Sequence, residues 1–246
     1  MAKRATKKTA SKKTITRKTK PKRSLRARLR RWVWRGVFAL LALVAICLFA
    51  YKFINPPGGF YMLSEARRLG DIDRQWAPME EIAPVMARSV VAAEDANFCL
   101  HWGLDVNAIR DAMESGGTRG ASTISQQVVK NVCLWHGRSW LRKSLEALLT
   151  PAVEAVWTKR RIIEVYLNVA EFDEGVFGID AAAYHYFKTR PSELTATQAA
   201  RLAAILPNPK GRSASNPSSF VRKRAASIVD GAATIKADGR AACFES

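Results

Sequence analysis

An uninterrupted apolar run at residues 36–51, with no charged side chain, constrains this chain more than any other feature. Trp32 and Trp34 precede the run, and Phe53 follows it. A helix needs about 17–25 residues to cross a bilayer, and aromatic side chains favour the two membrane interfaces. We therefore predict a membrane-spanning helix over residues 32–54. A cleaved signal peptide is the alternative, but the long preceding segment and the lack of a clear small-x-small cleavage site argue against it.

The positive charge of the chain is concentrated in front of this run. Residues 1–35 hold sixteen Lys or Arg and no Asp or Glu, so 24 basic residues balance all 21 acidic ones in the remainder. The low-complexity segment 1–31 lacks the apolar content to fold, and we expect it to be disordered. A basic flank marks the cytoplasmic side of a membrane helix, which places the rest of the chain outside the cytoplasm. No nucleic-acid partner is expected, because no aromatic interleaving or nucleic-acid-binding module accompanies this flank.

The remaining chain reads as a linker followed by one domain. Residues 55–81 are assigned to a linker and connecting segment that opens with Asn-Pro-Pro-Gly-Gly, a helix-breaking sequence. Residues 82–246 show mostly helical periodicity and no strong alternating strand pattern. Two Thr-x-x-Gln capping boxes predict helix starts at Thr123 and Thr195. We therefore predict a mainly α domain.

The four cysteines do not form a disulfide framework. Cys47 lies in the predicted membrane helix, so Cys99, Cys133 and Cys243 are left outside it. An odd number argues against complete pairing, and we expect idle or buried thiols, with a Cys99–Cys133 bridge as the alternative. No His/Cys spacing typical of a metal site occurs, and no metal ligand is assigned.

Two acidic positions suggest chemistry. Glu94 and Asp95 directly follow an apolar, helix-like stretch, where a carboxylate is partly desolvated and suits a general base. A helix-end salt bridge is the structural alternative for Glu94. Further along, Glu146 follows the basic pair Arg142 and Lys143. Two separated carboxylates and a cationic cluster suit sugar transfer from an anionic leaving group.

The helix predicted after Thr123 is polar along one face and apolar along the other. The polar stripe holds Gln126, Gln127, Lys130 and Asn131. Amide groups beside a lysine suit sugar hydroxyls and phosphate, whereas a merely solvated surface is the simpler alternative. The start of this helix, at Ser122 and Thr123, also favours an anion.

Five segments in order resemble glycosyltransferase family 51, the peptidoglycan polymerases. They are Glu-Asp-x-x-Phe-x-x-His-x-Gly at 94–103, Gly-x-Ser-Thr-Ile-x-Gln-Gln at 120–127, Arg-Lys-x-x-Glu at 142–146, Lys-x-x-Ile-Ile-Glu-x-Tyr-Leu-Asn at 159–168, and Gly-x-x-x-Ala-Ala-x-x-Tyr-Phe at 178–187. The resemblance covers roughly residues 82–209, and five motifs in order make it specific. It implies a mainly α, lysozyme-like glycosyltransferase domain behind a single N-terminal transmembrane helix. The short chain and the stretch at 134–140 resemble the family's monofunctional biosynthetic members.

The resemblance implies an enzyme that polymerises lipid II into β-1,4-linked glycan strands and releases undecaprenyl pyrophosphate. It makes Glu94 the general base and Glu146 a second catalytic carboxylate, which either holds Arg142 or carries a divalent metal. The substrate-binding residues that it implies are Ser122, Gln127, Lys130, Asn131, Arg142 and Lys143. No cofactor is assigned beyond a divalent cation, Mg or Mn, at the pyrophosphate, which the sequence leaves open.

The implied partners are lipid II, the growing glycan chain, the membrane and other cell-wall synthesis proteins. The implied location is the bacterial inner membrane, with a single pass, a cytoplasmic N-terminus and a periplasmic catalytic domain. A lysozyme-like hydrolase or lytic transglycosylase is the alternative enzyme, against which Lys130, Arg142 and Lys143 argue. A membrane-tethered scaffold is the non-enzymatic alternative, against which the intact Glu94 and Glu146 argue.

Overall fold

The computed structural model describes residues 25–114, 122–137 and 139–245. Two units divide the chain, one ending at Ile46 and the other beginning at Cys47. Within the described ranges the helices are α1 (Leu25–Tyr51), α2 (Phe60–Leu69), α3 (Pro84–Glu94), α4 (Val106–Glu114), α5 (Ile124–Cys133), α6 (Trp140–Val156), α7 (Lys159–Val169), α8 (Ile179–Phe187), α9 (Ala196–Ile205), α10 (Ser219–Ala237) and α11 (Ala242–Glu245). The strands are β1 (Asp73–Arg74), β2 (Glu171–Asp173) and β3 (Val176–Phe177). Most of the predicted disordered tail, residues 1–24, lies outside the described ranges.

The N-terminal helix α1 begins at Leu25, before the expected start at Trp32. Leu, Ala and Arg are good helix formers, and no Pro or Gly interrupts residues 25–31, so the helix extends into the basic flank. Its 27 residues correspond to a length of roughly 40 Å. Among the described residues, α1 alone combines the length and apolar composition of a membrane span.

The connection between α1 and α2 belongs to the second unit and is held by contacts within that unit. Trp157 Nε1 donates a hydrogen bond to the Leu48 carbonyl at 2.7 Å, and the Arg161 guanidinium donates to the Ile54 carbonyl at 2.9 Å. At Gly59 a Cβ would lie 1.6 Å from the Asn131 carbonyl oxygen, so no other residue fits there. The segment assigned to a linker therefore starts as an anchored connection and continues into α2 and β1.

The helices of the second unit pack in two groups. Helix α3 packs against α9 and α10, and α5 packs against α6 and α7. The side chains of Ile162, Ile163 and Leu167 on α7 are fully buried, although they point in different directions around the helix. A helix that is covered on several faces needs apolar residues on those faces, which explains the composition of α7. The predicted mainly α fold is confirmed.

The capping motifs in the sequence predicted two helix starts correctly, whereas the sequence did not predict the sheet. Both predicted capping boxes are present, at Thr123 and at Thr195. The small sheet has the order β1-β3-β2, with β1 parallel and β2 antiparallel to β3. Each strand has only two or three residues, which is too short for an alternating pattern to appear in the sequence.

The expectation of idle outer thiols is wrong for two of the three cysteines. Cys99 forms a disulfide with Cys243, and Cys133 is free. The partners are 144 residues apart, so only the tertiary fold brings them together. The same C-terminal segment packs Phe244 against Phe98, with ring centroids 6.3 Å apart. The segment at Cys243 and Phe244 is therefore bound to the loop that follows Glu94.

We expect Cys243→Ser to lower the free energy of unfolding by about 2–4 kcal/mol, because the open chain regains the entropy of a long loop. The measurement is thermal unfolding of the purified chain in detergent without reductant. Cys133→Ser is the matched control and should change the melting temperature little, because its thiol has no disulfide partner. Equal melting temperatures for Cys243→Ser and the unsubstituted protein would contradict a structural role for this bridge.

Candidate active site

Glu94 is the last residue of α3, and its side chain is half-buried. Gln127 Nε2 on α5 donates a hydrogen bond to Glu94 Oε2 at 3.0 Å. The Tyr166 hydroxyl donates to Gln127 Oε1 at 3.4 Å, so the amide group is held at both ends. Within the described ranges, Glu94 makes no ion pair and its Oε1 makes no hydrogen bond. One carboxylate oxygen is thus available to a ligand.

Asp95 turns its carboxylate toward protein partners. Its Oδ2 accepts the backbone N–H of Ile124 at 3.0 Å, and its Oδ1 contacts His101 Nε2 at 2.8 Å. His101 Nδ1 accepts the backbone N–H of Gly103 at 3.1 Å, so Nε2 carries the ring proton and donates it to Asp95. Asp95 therefore supplies an anion at the start of α5. The substrate anion expected at this helix start finds the Ile124 N–H already taken.

The loop between Asp95 and Gly103 is further held by two contacts. The Thr123 hydroxyl donates to the Gly103 carbonyl at 2.6 Å, which links the first two motifs. Lys159 Nζ donates to the His101 carbonyl at 2.8 Å and pairs with Glu154 at 2.8 Å. In the sequence, Lys159 is recognisable only as the first residue of the fourth motif, and nothing indicates its contact with the loop at His101.

Gly103 has no substitute in this loop. Its φ is +79°, which L-residues with a side chain rarely adopt, and a Cβ there would lie 2.5 Å from Thr150 Cγ2. The glycine that ends the first motif therefore allows the loop to pack directly on α6.

The second carboxylate organises a pair of cations. The Glu146 side chain is only 3% exposed, and its two oxygens accept hydrogen bonds from Arg142 Nη1 and Lys143 Nζ. Residues three and four apart lie on one face of a helix, which explains the Arg-Lys-x-x-Glu spacing. Arg142 Nε also donates to the Gly137 carbonyl at 2.9 Å, and Lys143 Nζ donates to Ser122 Oγ at 3.1 Å.

Lys130 differs from these two cations in its contacts with the described residues. It is half-buried and makes no hydrogen bond or ion pair in the part of the chain that the structure describes. Burial lowers the pKa of Lys130, the Glu146 charge raises it in part, and the charges of Arg142 and Lys143 lower it further. An anionic ligand would supply the neutralising charge that the protein does not.

A cavity of about 180 Å³ opens beside Lys130. Its lining includes Tyr61, Gln127, Lys130, Asn131, His136 and Leu206. Of the four residues in the predicted polar stripe on α5, three line the cavity, namely Gln127, Lys130 and Asn131. Gln126 is buried, and its Oε1 accepts the Thr123 N–H in the capping box at 3.0 Å, so its assignment to the stripe is wrong.

Two residues that line the cavity were not assigned to the site from the sequence, and the last residue of the fourth motif lies outside the cavity. Tyr61 and His136 line the cavity with stacked rings, whose centroids are 3.8 Å apart. His136 lies in the noted stretch at 134–140, but Tyr61 carries no signal in the sequence. Asn168, which ends the fourth motif, is fully buried and bonds to the backbone of Ala77. It supports the fold rather than the cavity.

One cluster of side chains in the described ranges has the residue types of a metal site, but its side chains are occupied by hydrogen bonds within the protein. Ligand atoms of Asp95, His101 and Asp105 lie within 4.8 Å of one another. Both nitrogens of His101 and both oxygens of Asp95 are already engaged. Asp105 accepts the Ala108 N–H at 2.9 Å and the Asn97 amide at 3.1 Å. These contacts leave no free ligand set for a cation.

Comparison with known proteins matches residues 63–233, more than half of the chain, to the Transglycosylase family. A biosynthetic peptidoglycan transglycosylase of Jannaschia sp. (strain CCS1) is 60% identical over 222 residues, covering 90% of this chain and 93% of the relative. Proteins of the same description from Rhodospirillum centenum (strain ATCC 51521 / SW) and Yersinia pseudotuberculosis serotype O:3 (strain YPIII) are each 46% identical. Those alignments cover 85% and 78% of this chain and 93% and 86% of the relatives. The chain therefore belongs to the transglycosylase family, as its five motifs predict.

Proposed function

We propose that this chain is a membrane-anchored peptidoglycan glycosyltransferase that polymerises lipid II into β-1,4-linked glycan strands and releases undecaprenyl pyrophosphate. Its family membership and the function named for its relatives support this proposal. The observation that carries the proposal is that the Glu94 carboxylate contacts the helix that bears Lys130. Glu94 contacts Gln127, and Lys130 follows one turn later on the same helix.

In the proposed reaction, Glu94 is the general base. The C4 hydroxyl of the acceptor sugar attacks C1 of the donor sugar, and the bond from C1 to the pyrophosphate oxygen breaks. Glu94 Oε1 takes the hydroxyl proton, because Oε2 already accepts from Gln127. The anomeric configuration changes from α to β, so a single in-line displacement suffices.

The departing pyrophosphate is stabilised by Lys130, Arg142 and Lys143. Cations that are already in place when negative charge develops stabilise a transition state more than mobile ones do. Glu146 holds Arg142 and Lys143 in place, and Ser122 orients Lys143. We therefore assign Glu146 the role of a positioning residue. A divalent cation, Mg or Mn, would be carried by the phosphates in this proposal, because both Glu146 oxygens already face protein cations.

The hydrolase alternative requires a carboxylic acid that protonates a sugar leaving group. Both Glu146 oxygens accept hydrogen bonds from cations, which suits a carboxylate that positions Arg142 and Lys143 rather than a proton donor to a sugar. The same cations suit a leaving group that departs as an anion. The arrangement of charge thus favours transfer from pyrophosphate over hydrolysis of glycan.

The membrane setting of the proposal rests on α1 and on the surface of the second unit. Trp102, Met113 and Trp140 are 70%, 75% and 91% exposed, which suits contact with lipid. In this proposal the N-terminus is cytoplasmic and the catalytic domain periplasmic, which the basic segment at residues 1–35 supports. The catalytic domain of this proposal includes most of α2, because the family match begins at residue 63. Other cell-wall synthesis proteins remain proposed partners.

We expect Glu94→Gln to reduce lipid II polymerisation by about 10²–10⁴-fold, because the amide cannot accept the hydroxyl proton. Its carbonyl oxygen can still accept the Gln127 hydrogen bond, so the fold should be preserved. The measurement is the initial rate of polymer formation from lipid II by the purified chain. Glu81→Gln, at an exposed carboxylate, is the matched control and should retain the wild-type rate. A Glu94→Gln protein as active as this control would remove Glu94 from the reaction.

Two of the three proposed phosphate contacts, Lys130 and Arg142, should differ in their effect on stability. Lys130→Met should reduce the polymerisation rate by about 10²–10³-fold. It should leave the melting temperature unchanged, because no described residue forms an ion pair or hydrogen bond with Lys130. Arg142→Ala should reduce both quantities, because buried Glu146 loses a cation. Exposed Lys223→Met is the charge-matched control. Normal turnover in Lys130→Met would exclude Lys130 from the pyrophosphate site.

The proposed orientation gives a topology prediction. A reporter that is active only outside the cytoplasm should give signal when fused after the C-terminal residue in living cells, because the basic flank holds the N-terminus inside. The same reporter fused before Met1 should be silent. The reverse pattern would overturn the orientation.

A further inference from the structure

We propose that His136 is a positioning residue for substrate binding: it sets the side-chain amide of Asn131 so that the amide NH2 group donates to an oxygen of the lipid-linked sugar. The inference deepens the proposed function and rests on it. It assigns a role to a ring that is hydrogen-bonded to Asn131 and stacked on Tyr61.

The hydrogen bond between His136 and Asn131 fixes which way the amide faces. His136 Nε2 lies 3.1 Å from Asn131 Oδ1. An amide oxygen only accepts, so Nε2 carries the proton and donates it. The Asn131 NH2 group then makes no hydrogen bond with any residue of the described ranges, and Asn131 lines the cavity. A free donor group is left for a ligand.

The imidazole ring is held in turn by Tyr61. The two rings are stacked, with centroids 3.8 Å apart and planes inclined by 6°. The Tyr61 hydroxyl donates to Glu171 Oε2 at 2.7 Å, and Lys210 Nζ lies 5.6 Å from the centre of the Tyr61 ring. Residues from α2, β2 and the turn at Pro209–Gly211 therefore fix the plane in which His136 approaches Asn131.

The charge state of His136 suits a fixed donor. Desolvation lowers the pKa of His136 to about 4, and the charges of Lys130 and Arg142 lower it as well. The ring is neutral at physiological pH, so the proton on Nε2 is shared with Asn131 alone. The neutral ring adds no positive charge to the cations near Lys130.

Asn131 and Lys130 are neighbours on α5, and both line the same cavity. Among the described residues, neither the Asn131 NH2 group nor the Lys130 ammonium has a hydrogen-bond partner. If Lys130 takes the pyrophosphate, the next donor is positioned for an oxygen of the sugar that carries it. Orientation of the Asn131 amide should then affect substrate binding in the ground state and the transition state equally. Such a contact changes KM and leaves kcat nearly unchanged.

The test is a double-mutant cycle on lipid II polymerisation, in which KM and kcat are measured for the purified chain. His136→Phe keeps an aromatic ring against Tyr61 but removes the donor, and it should raise KM about 3–10-fold with little change in kcat. Asn131→Ala should raise KM to a similar extent. The double variant should be no worse than Asn131→Ala alone, because His136 acts only through Asn131.

Two further proteins control for folding. His136→Gln supplies a side-chain N–H donor and should recover part of the affinity lost in His136→Phe. Trp135→Phe alters the adjacent residue, which does not line the cavity, and should leave KM unchanged. Melting temperatures identify any variant that is unfolded. If His136→Phe does not fold, His136→Gln replaces it in the cycle, in both the wild-type and the Asn131→Ala backgrounds.

The outcomes separate this inference from the proposed function. A wild type that polymerises lipid II, with a His136→Phe effect that is absent or fully additive to Asn131→Ala, would refute the role of His136 alone. An effect confined to kcat would also refute it. A wild type that makes no polymer would remove the proposed function, and this inference with it.

Discussion

The carboxylate of Asp95 is the contact on which the rest of the site depends. It joins His101, in its own loop, to the first backbone N–H of α5. Because Glu94 precedes Asp95 in the chain, this contact also sets the distance between Glu94 and the α5 side chains. The bond from Gln127 to Glu94 completes the link one turn further along. The adjacent acidic pair thus divides its work: one carboxylate holds the site together, and the other keeps an oxygen free for a ligand.

Charge is distributed over the site in the same way. Glu146 neutralises part of the charge of the Arg142–Lys143 pair and fixes its position, whereas Lys130 forms no ion pair with any described residue. Bringing a buried cation to a site is costly unless a counter-charge is present. The substrate's pyrophosphate supplies that counter-charge in the proposed reaction. The protein therefore holds two cations in place for the leaving group and leaves one to be neutralised by binding.

Much of this arrangement was predictable from local sequence. Capping boxes locate α5 and α9, because the Thr and Gln that form them are only three residues apart. The Arg142–Glu146 contact follows from helix geometry in the same way. The family resemblance identifies Glu94 and Lys130, but the sequence does not show that Gln127, on the helix that carries Lys130, bonds to Glu94.

The features that the sequence did not reveal depend on distant partners. The Cys99–Cys243 bridge joins residues 144 positions apart, and the Tyr61–His136 stack joins α2 to the loop after α5. The sequence left the N–H of Ile124 available to a substrate, but in the folded chain it donates to Asp95.

The most direct test of the account is a parallel assay of the purified chain on lipid II and on finished peptidoglycan. We predict β-1,4-linked polymer and released undecaprenyl pyrophosphate from lipid II, and no soluble fragments from peptidoglycan. Soluble fragments from peptidoglycan without polymer from lipid II would contradict it.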